Sequence, residues 1–129
     1  QSSENPVYYV QYAHARISSI LAKAAEAGLE PAADFTGVLD GDDVATGMAR
    51  EVLRLPEVVE DGARDEETHG ITTYAMELAT AFHGFYRDRR VVDPADPTTS
   101  AGRLALVSVT QAAIRNSLSL LGISAPESM

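Results

Sequence analysis

Neither cysteine nor tryptophan occurs among the 129 residues, and aromatic residues make up only 6 %. The missing thiols exclude disulfide frameworks, cysteine nucleophiles and thiolate metal sites. They agree with a reducing compartment such as the cytoplasm. No apolar run approaches the roughly 18 residues of a membrane span, and no charged-then-apolar leader opens the chain. Histidine occurs three times, never as His-Glu-x-x-His, and neither a nucleophile elbow nor a phosphate-binding Gly-x-x-x-x-Gly-Lys is present. A small helical enzyme or metal carrier is thereby left without its usual equipment.

What the chain does contain favours helices. Apolar residues reach 45 %, with Ala, Leu and Glu abundant. The length suits one domain with a real core. The net charge of −9 speaks against a nucleic-acid partner, but its distribution weakens that objection. Residues 26–67 carry thirteen acids and three arginines, whereas residues 1–25 balance at +1 and residues 68–129 at zero. The acidic face should point away from any anion-binding surface. The chain opens on Gln rather than Met, and a helix cap follows almost at once at Asn5. Both suggest the C-terminal part of a longer polypeptide, residues 1–129 forming a single helical domain.

Asn5 is a good N-cap and Pro6 suits the first helical position, so a helix is expected from here to Ala27, stopped by Gly28. Glu30–Asp43 reads as an acidic loop anchored by Phe35, Val38 and Leu39. Val44–Leu55 has helical spacing, and Pro56 ends it and opens a short helix that stops near Gly62. A strong amphipathic helix should run from Thr68 to about Val92, with Ile71, Ala75, Leu78, Phe82 and Phe85 in one stripe. Asp93-Pro94 and Asp96-Pro97 are turn dipeptides. Thr98–Ser100 can cap a last, central helix from Ala101 to Leu121, closed by Gly122. The fold class is all-α, a bundle of four to five helices.

Within the first helix, Val10, His14, Ile17, Leu21 and Ala24 share one side, and Tyr8, Tyr9, Tyr12 and Arg16 lie roughly opposite. Three large aromatics facing away from their own core need a second layer or a flat ligand, and unpaired nucleobases are a common partner for Tyr beside Arg. His14, in the apolar stripe, fits a core imidazole donating to a carbonyl. His83, Tyr86 and Arg90 fall along one flank of the Phe82/Phe85 stripe, with Arg87, Arg89 and Asp88 nearby. Glu66 and His69 have a Glu-x-x-His spacing, but no second motif exists to complete a di-metal bundle. Met129 is terminal, and terminal residues ordinarily fray.

Three blocks carry a family resemblance. Asn5–Arg16 (Asn-Pro-Val-Tyr-Tyr-Val-Gln-Tyr-Ala-His-Ala-Arg) resembles the opening of the C-terminal, DALR-type anticodon-binding domain of arginyl-tRNA synthetases. Ala79–Tyr86, continued by Arg87–Val92, and then Arg115, Asn116 and Leu118–Met129 follow in the family's order. The blocks span nearly the whole chain, while Glu30–Asp43 matches nothing in that pattern. The resemblance implies a parent enzyme that joins L-arginine to its tRNA with ATP and Mg²⁺, and that needs the tRNA present before it activates the amino acid. It implies as partners the anticodon loop of tRNA(Arg) and the catalytic domain of the same polypeptide, in a monomeric, cytoplasmic parent, with no membrane. No cofactor, catalytic residue or metal ligand is expected within this domain. The His-Ile-Gly-His-like and Lys-Met-Ser-Lys-Ser-like adenylate-forming signatures are missing, so this piece alone should be inactive. For RNA contacts, the resemblance implies Tyr12 and Tyr86 as stacking platforms, Arg16 as a polar contact and Met129, folded back, as a pocket wall. Tyr9, His83 and Arg90 are further contacts. The acidic middle, and Gly70 and Gly84 where longer, often basic, side chains are expected, depart from the family. The reading from another class is a helical protein–protein interaction module that docks through its tyrosine face.

Overall fold

Asn5 starts the first helix as its chemistry dictates. Its side-chain oxygen accepts from the N–H of Val7 at 2.9 Å and of Tyr8 at 3.4 Å, satisfying donors that the first turn leaves orphaned. The structure, a computed structural model, describes residues 5–129; Glu4, counted in the charge of the first segment, lies outside the described residues. Helix α1 spans Pro6–Glu26, α2 Asp43–Leu53, α3 Leu55–Asp65, α4 His69–Asp88 and α5 Pro97–Leu120, with a 3-10 turn at Thr36–Val38. No strand occurs among the described residues. The fold is the expected all-α bundle. Gly28 and Gly122 take left-handed φ values of +79° and +73° just beyond α1 and α5, the stops that helix C-termini favour.

Helices α4 and α5 pack on each other, α1 and α2 each pack against both, and α3 runs along α4. The shared core includes Ile17, Met48, Leu78, Phe82, Phe85, Leu104, Leu106, Ile114 and Leu118, all removed from solvent. Each such side chain contributes about 1.5–3 kcal/mol by burial. Helix α5 is central, as its broad apolar face implies. Two of its buried hydroxyls return to their own helix: Thr110 donates to the Leu106 carbonyl and Ser117 to the Ala113 carbonyl, both at 2.8 Å. Gln111 joins α5 to α1 by donating to the His14 carbonyl at 3.1 Å and to Ser18 at 2.7 Å.

The acidic loop is anchored by the residues its pattern suggests: Phe35 and Leu39 pack on the core, and Val38 sits on Gly102 of α5. A Cβ at Gly102 would meet Val38 Cγ1 at 2.6 Å, so only glycine admits this approach.

Several boundaries differ from expectation. Helix α3 continues past Gly62 to Asp65 and stops where Glu66 adopts a φ of +55°. Helix α4 ends at Asp88 rather than near Val92. The cause is tertiary: Val91 must enter the core, and Arg89 turns extended to donate to Asp42 at 2.8 and 3.0 Å. Helix α5 begins one turn early, at Pro97, capped by Asp96. Ser100, expected as part of the cap, instead clasps Asp93, donating to its carbonyl at 3.1 Å and accepting from its N–H at 2.8 Å. Thr68 precedes α4 without a side-chain cap bond.

Two polar clamps fasten α2. Asp42 caps it through the Ala45 N–H at 3.0 Å while holding Arg89. The Arg89 guanidinium keeps the Asp42 carboxyl down at about 2. Tyr74 of α4 is buried and donates to the Glu51 carbonyl at 2.6 Å. Loss of solvent around the phenol pushes it up to about 12.

Candidate functional site

Because α1 packs on α4 with Val10, His14 and Ile17 turned inward, its opposite edge is free to carry large side chains. Tyr8, Tyr12 and Arg16 recur every four residues and so stand one above another along the helix. With Tyr9 and with His83 of α4 they line an open cleft of about 500 Å³. Tyr12 is the exposed ring of the group, 44 % accessible. It stacks beside His83, with centroids 5.8 Å apart and planes inclined by 27°. Tyr9 is half-buried and tilts against the same imidazole at 5.3 Å. The Thr80 hydroxyl donates to the Met76 carbonyl at 2.9 Å. Tyr9 must therefore be the donor in its 3.1 Å bond to Thr80, which fixes this ring as a wall of the cleft.

Arg16 is the cation of the site. Its guanidinium lies 4.8 Å from the centroid of Tyr86 and its Nη1 is 3.1 Å from Nδ1 of His83. Guanidinium has no acceptor, so His83 accepts on Nδ1 and carries its proton on Nε2. The ring is neutral in this arrangement. Burial first, and the Arg16 charge second, hold the His83 pKa below the ordinary histidine value. Among the described residues no carboxylate lies within ion-pair distance of Arg16, whereas Arg54, Arg64, Arg87, Arg89 and Arg90 each have one. The acidic excess is carried by α2, α3 and their loops, and the cleft residues lie on α1 and α4.

The tail returns to the same place. Gln11 donates to the Ser124 carbonyl at 2.9 Å. His14, buried as expected, donates from Nδ1 to the Pro126 carbonyl at 2.8 Å. These bonds lay residues 123–129 along α1 and bring Met129 beside Tyr12, Ala15, Arg16 and Ser19, around a smaller cleft of about 170 Å³. Tyr12 and Arg16 belong to both clefts, which makes them the centre of the arrangement.

The structure thus brings together Tyr9, Tyr12, Arg16, His83 and Met129, and adds Tyr8. Tyr86 is close, and its surroundings differ from those of Tyr12. Its ring is stacked with Phe82, at 6.0 Å and 17°, and the Arg16 guanidinium lies over it. Arg90 is not on the flank assigned to it, because α4 has ended by Asp88. It lies in a neighbouring cleft with Arg87 and Arg89, 4.0 Å from Asp93. Glu66 and His69 are exposed at the α3–α4 junction. Sequence reading missed Gln11 and the Ser124 and Pro126 carbonyls that hold the tail. Nothing local marks a bond across more than a hundred residues.

A profile of the family described as DALR anticodon binding domain matches residues 10–129. Over 132 residues the chain is 44 % identical to the arginine–tRNA ligase of Bacillus subtilis (strain 168), taking in 99 % of this chain and 23 % of that protein. Its identity to the arginine–tRNA ligase of Dehalococcoides mccartyi (strain CBDB1) is 47 % over 129 residues, all of this chain and 23 % of that protein. The solved Thermus thermophilus arginyl-tRNA synthetase superposes on 99 % of the chain and 22 % of its own, with a TM-score of 0.80 and 32 % identity. The chain therefore spans about a quarter of the length of the curated relatives it matches.

Proposed function

The chain belongs to the DALR anticodon binding domain family, and on that premise we propose that it is the anticodon-reading domain of a longer arginine–tRNA ligase. Residues 1–129 then form one recognition domain of a monomeric cytoplasmic enzyme. The remaining length of that enzyme supplies the catalytic domain, where ATP and Mg²⁺ activate arginine. This domain contributes no step of the ligation.

Its own work is to hold the anticodon loop of tRNA(Arg) with the bases unstacked. An extruded base stacks on Tyr12, with Tyr8 and Tyr9 as walls and Met129 as a conformable apolar lip. Arg16 then meets a base edge or phosphate, and the middle cytosine of the anticodon is the base read. The observation that carries this reading is the open tyrosine cleft set beside Arg16, a cation with no carboxylate in ion-pair distance among the described residues. Stacking contributes about 1–3 kcal/mol per base.

The test is equilibrium binding of the chain to an anticodon stem-loop RNA. A loop with the arginine anticodon should bind more tightly than one with the middle base changed. Tyr12→Ala should weaken the first roughly 10–100-fold while leaving the thermal midpoint nearly unchanged, since that ring is largely exposed. Equal affinity for both loops, or no loss in the variant, contradicts the proposal.

A further inference from the structure

Arg16 has a long, four-bond stem, and on an exposed helix face such a side chain samples many rotamers. Here two contacts restrain it: the Tyr86 ring at 4.8 Å and His83 Nδ1 at 3.1 Å. The second contact is unusual in kind. Arg54, Arg64, Arg87, Arg89 and Arg90 are each paired with a carboxylate, as Arg89 is with Asp42 at 2.8 Å, which fixes geometry but cancels charge. A neutral imidazole acceptor fixes geometry and leaves the full positive charge available to a ligand. The same ring also supports Tyr12 by stacking.

We propose that His83 is a positioning residue: its neutral ring, with the lone pair on Nδ1 and the proton on Nε2, holds Arg16 over Tyr86 in a ligand-ready orientation without neutralising it. This deepens the anticodon-loop reading and rests on it for the ligand, but the hold itself can be observed without RNA. The tautomer has a cost, since the buried Nε2 of His83 has no hydrogen-bond partner among the described residues. That cost is tolerated in return for the Nδ1 acceptor. Protonation would replace the acceptor by a second donor facing a guanidinium. The hold should therefore fail as His83 takes up a proton, at a pH below the ordinary histidine value. The titratable and charged groups facing His83 are Arg16, Tyr8, Tyr9 and Tyr12 from α1; Tyr86 and Arg87 follow it by one turn on α4. On α5, Arg103 is turned to the Arg90 carbonyl and Arg115 is exposed.

The experiment has two arms on the whole chain. First, ¹⁵N spectra of the histidine rings at pH 7.5 should show His83 neutral with its proton on Nε2, with a scalar or exchange-protected link to the Arg16 guanidinium. Second, the affinity for an anticodon stem-loop is followed from pH 7.5 to 5.5 in wild type, His83→Asn and His83→Phe. Asn offers an amide oxygen near the Nδ1 position, and Phe keeps the stack on Tyr12 but removes the acceptor. Wild-type affinity should fall with acidification toward a limit about tenfold lower at full protonation, the worth of one such hydrogen bond. His83→Asn should stay within about threefold of wild type and flat with pH, and His83→Phe should be about tenfold weaker throughout. A proton on Nδ1, a charged His83 at pH 7.5, or identical affinities and pH profiles in wild type and His83→Phe would overturn the proposal. If the spectra show the expected tautomer and the wild type ignores RNA at every pH, the hold on Arg16 stands and the anticodon reading falls.

Discussion

Near the start of α4, Arg54 lies over Tyr74 at 5.7 Å; near its end, Arg16 lies over Tyr86 at 4.8 Å. Residue types and spacing are alike, and what differs is the third partner. Arg54 also pairs with Glu51 at 2.7 Å, and Tyr74 is buried with its hydroxyl on the Glu51 carbonyl. These polar contacts close within the domain, so the α2–α4 contact is scaffold. Arg16 instead meets a neutral histidine, and its neighbour Tyr12 leaves a ring exposed. A site is set apart from scaffold here by unspent capacity, a net charge and an open aromatic face, and not by which residues are used.

That contrast can be sharpened by spending or removing capacity on the scaffold side, where RNA affinity should not respond. The largest effect is expected from Asp42→Ala, which removes both the α2 cap and the Arg89 clamp. The loss should be about 2–3 kcal/mol in chemical denaturation, with stem-loop affinity unchanged. Because Asp42 titrates near 2 in the folded chain against an ordinary 3.8, its contribution is complete above about pH 4 and is lost as pH falls through about 2. The variant should lack that part of the acid transition. Next in size, Tyr74→Phe should cost about 1 kcal/mol, the worth of a buried hydroxyl bond. Arg54→Ala should cost no more than about 0.5 kcal/mol, because its pair is solvent-exposed. A scaffold variant that weakened RNA binding as much as it weakened the fold would break the comparison.

The parts of the molecule that were legible in the sequence are those fixed by local chemistry. Asn5 and Pro6 at the start of α1, Gly28 and Gly122 beyond the helix ends, and the Ile71–Phe85 stripe each announce themselves within a turn or two. The end of α4 does not, because Arg89 answers to Asp42, 47 residues earlier. The start of α5 was missed by a turn because Asp96 rather than Thr98–Ser100 supplies the cap. For the site, tyrosines on the wrong side of an amphipathic helix were a visible signal, and Arg16 came with them. The partner of Arg16 was not visible. Tyr86 reads by periodicity only as a ring on the flank of the Phe82/Phe85 stripe, and it is the packing of α1 on α4 that puts the guanidinium over it. Met129 took its place from the family resemblance, and the bonds that secure it, from Gln11 and His14 to the tail carbonyls, carry no sequence signature.

The most direct measurement is a titration of the isotopically labelled chain with an anticodon stem-loop RNA, following backbone amides, tyrosine rings, arginine side chains and methionine methyls by NMR. The largest shifts are expected at Tyr8, Tyr12, Arg16 and the Met129 methyl, with α3 silent. Shifts centred instead on Arg87–Arg90, or on the acidic α2–α3 face, with Tyr12 and Arg16 unmoved, would contradict the anticodon reading.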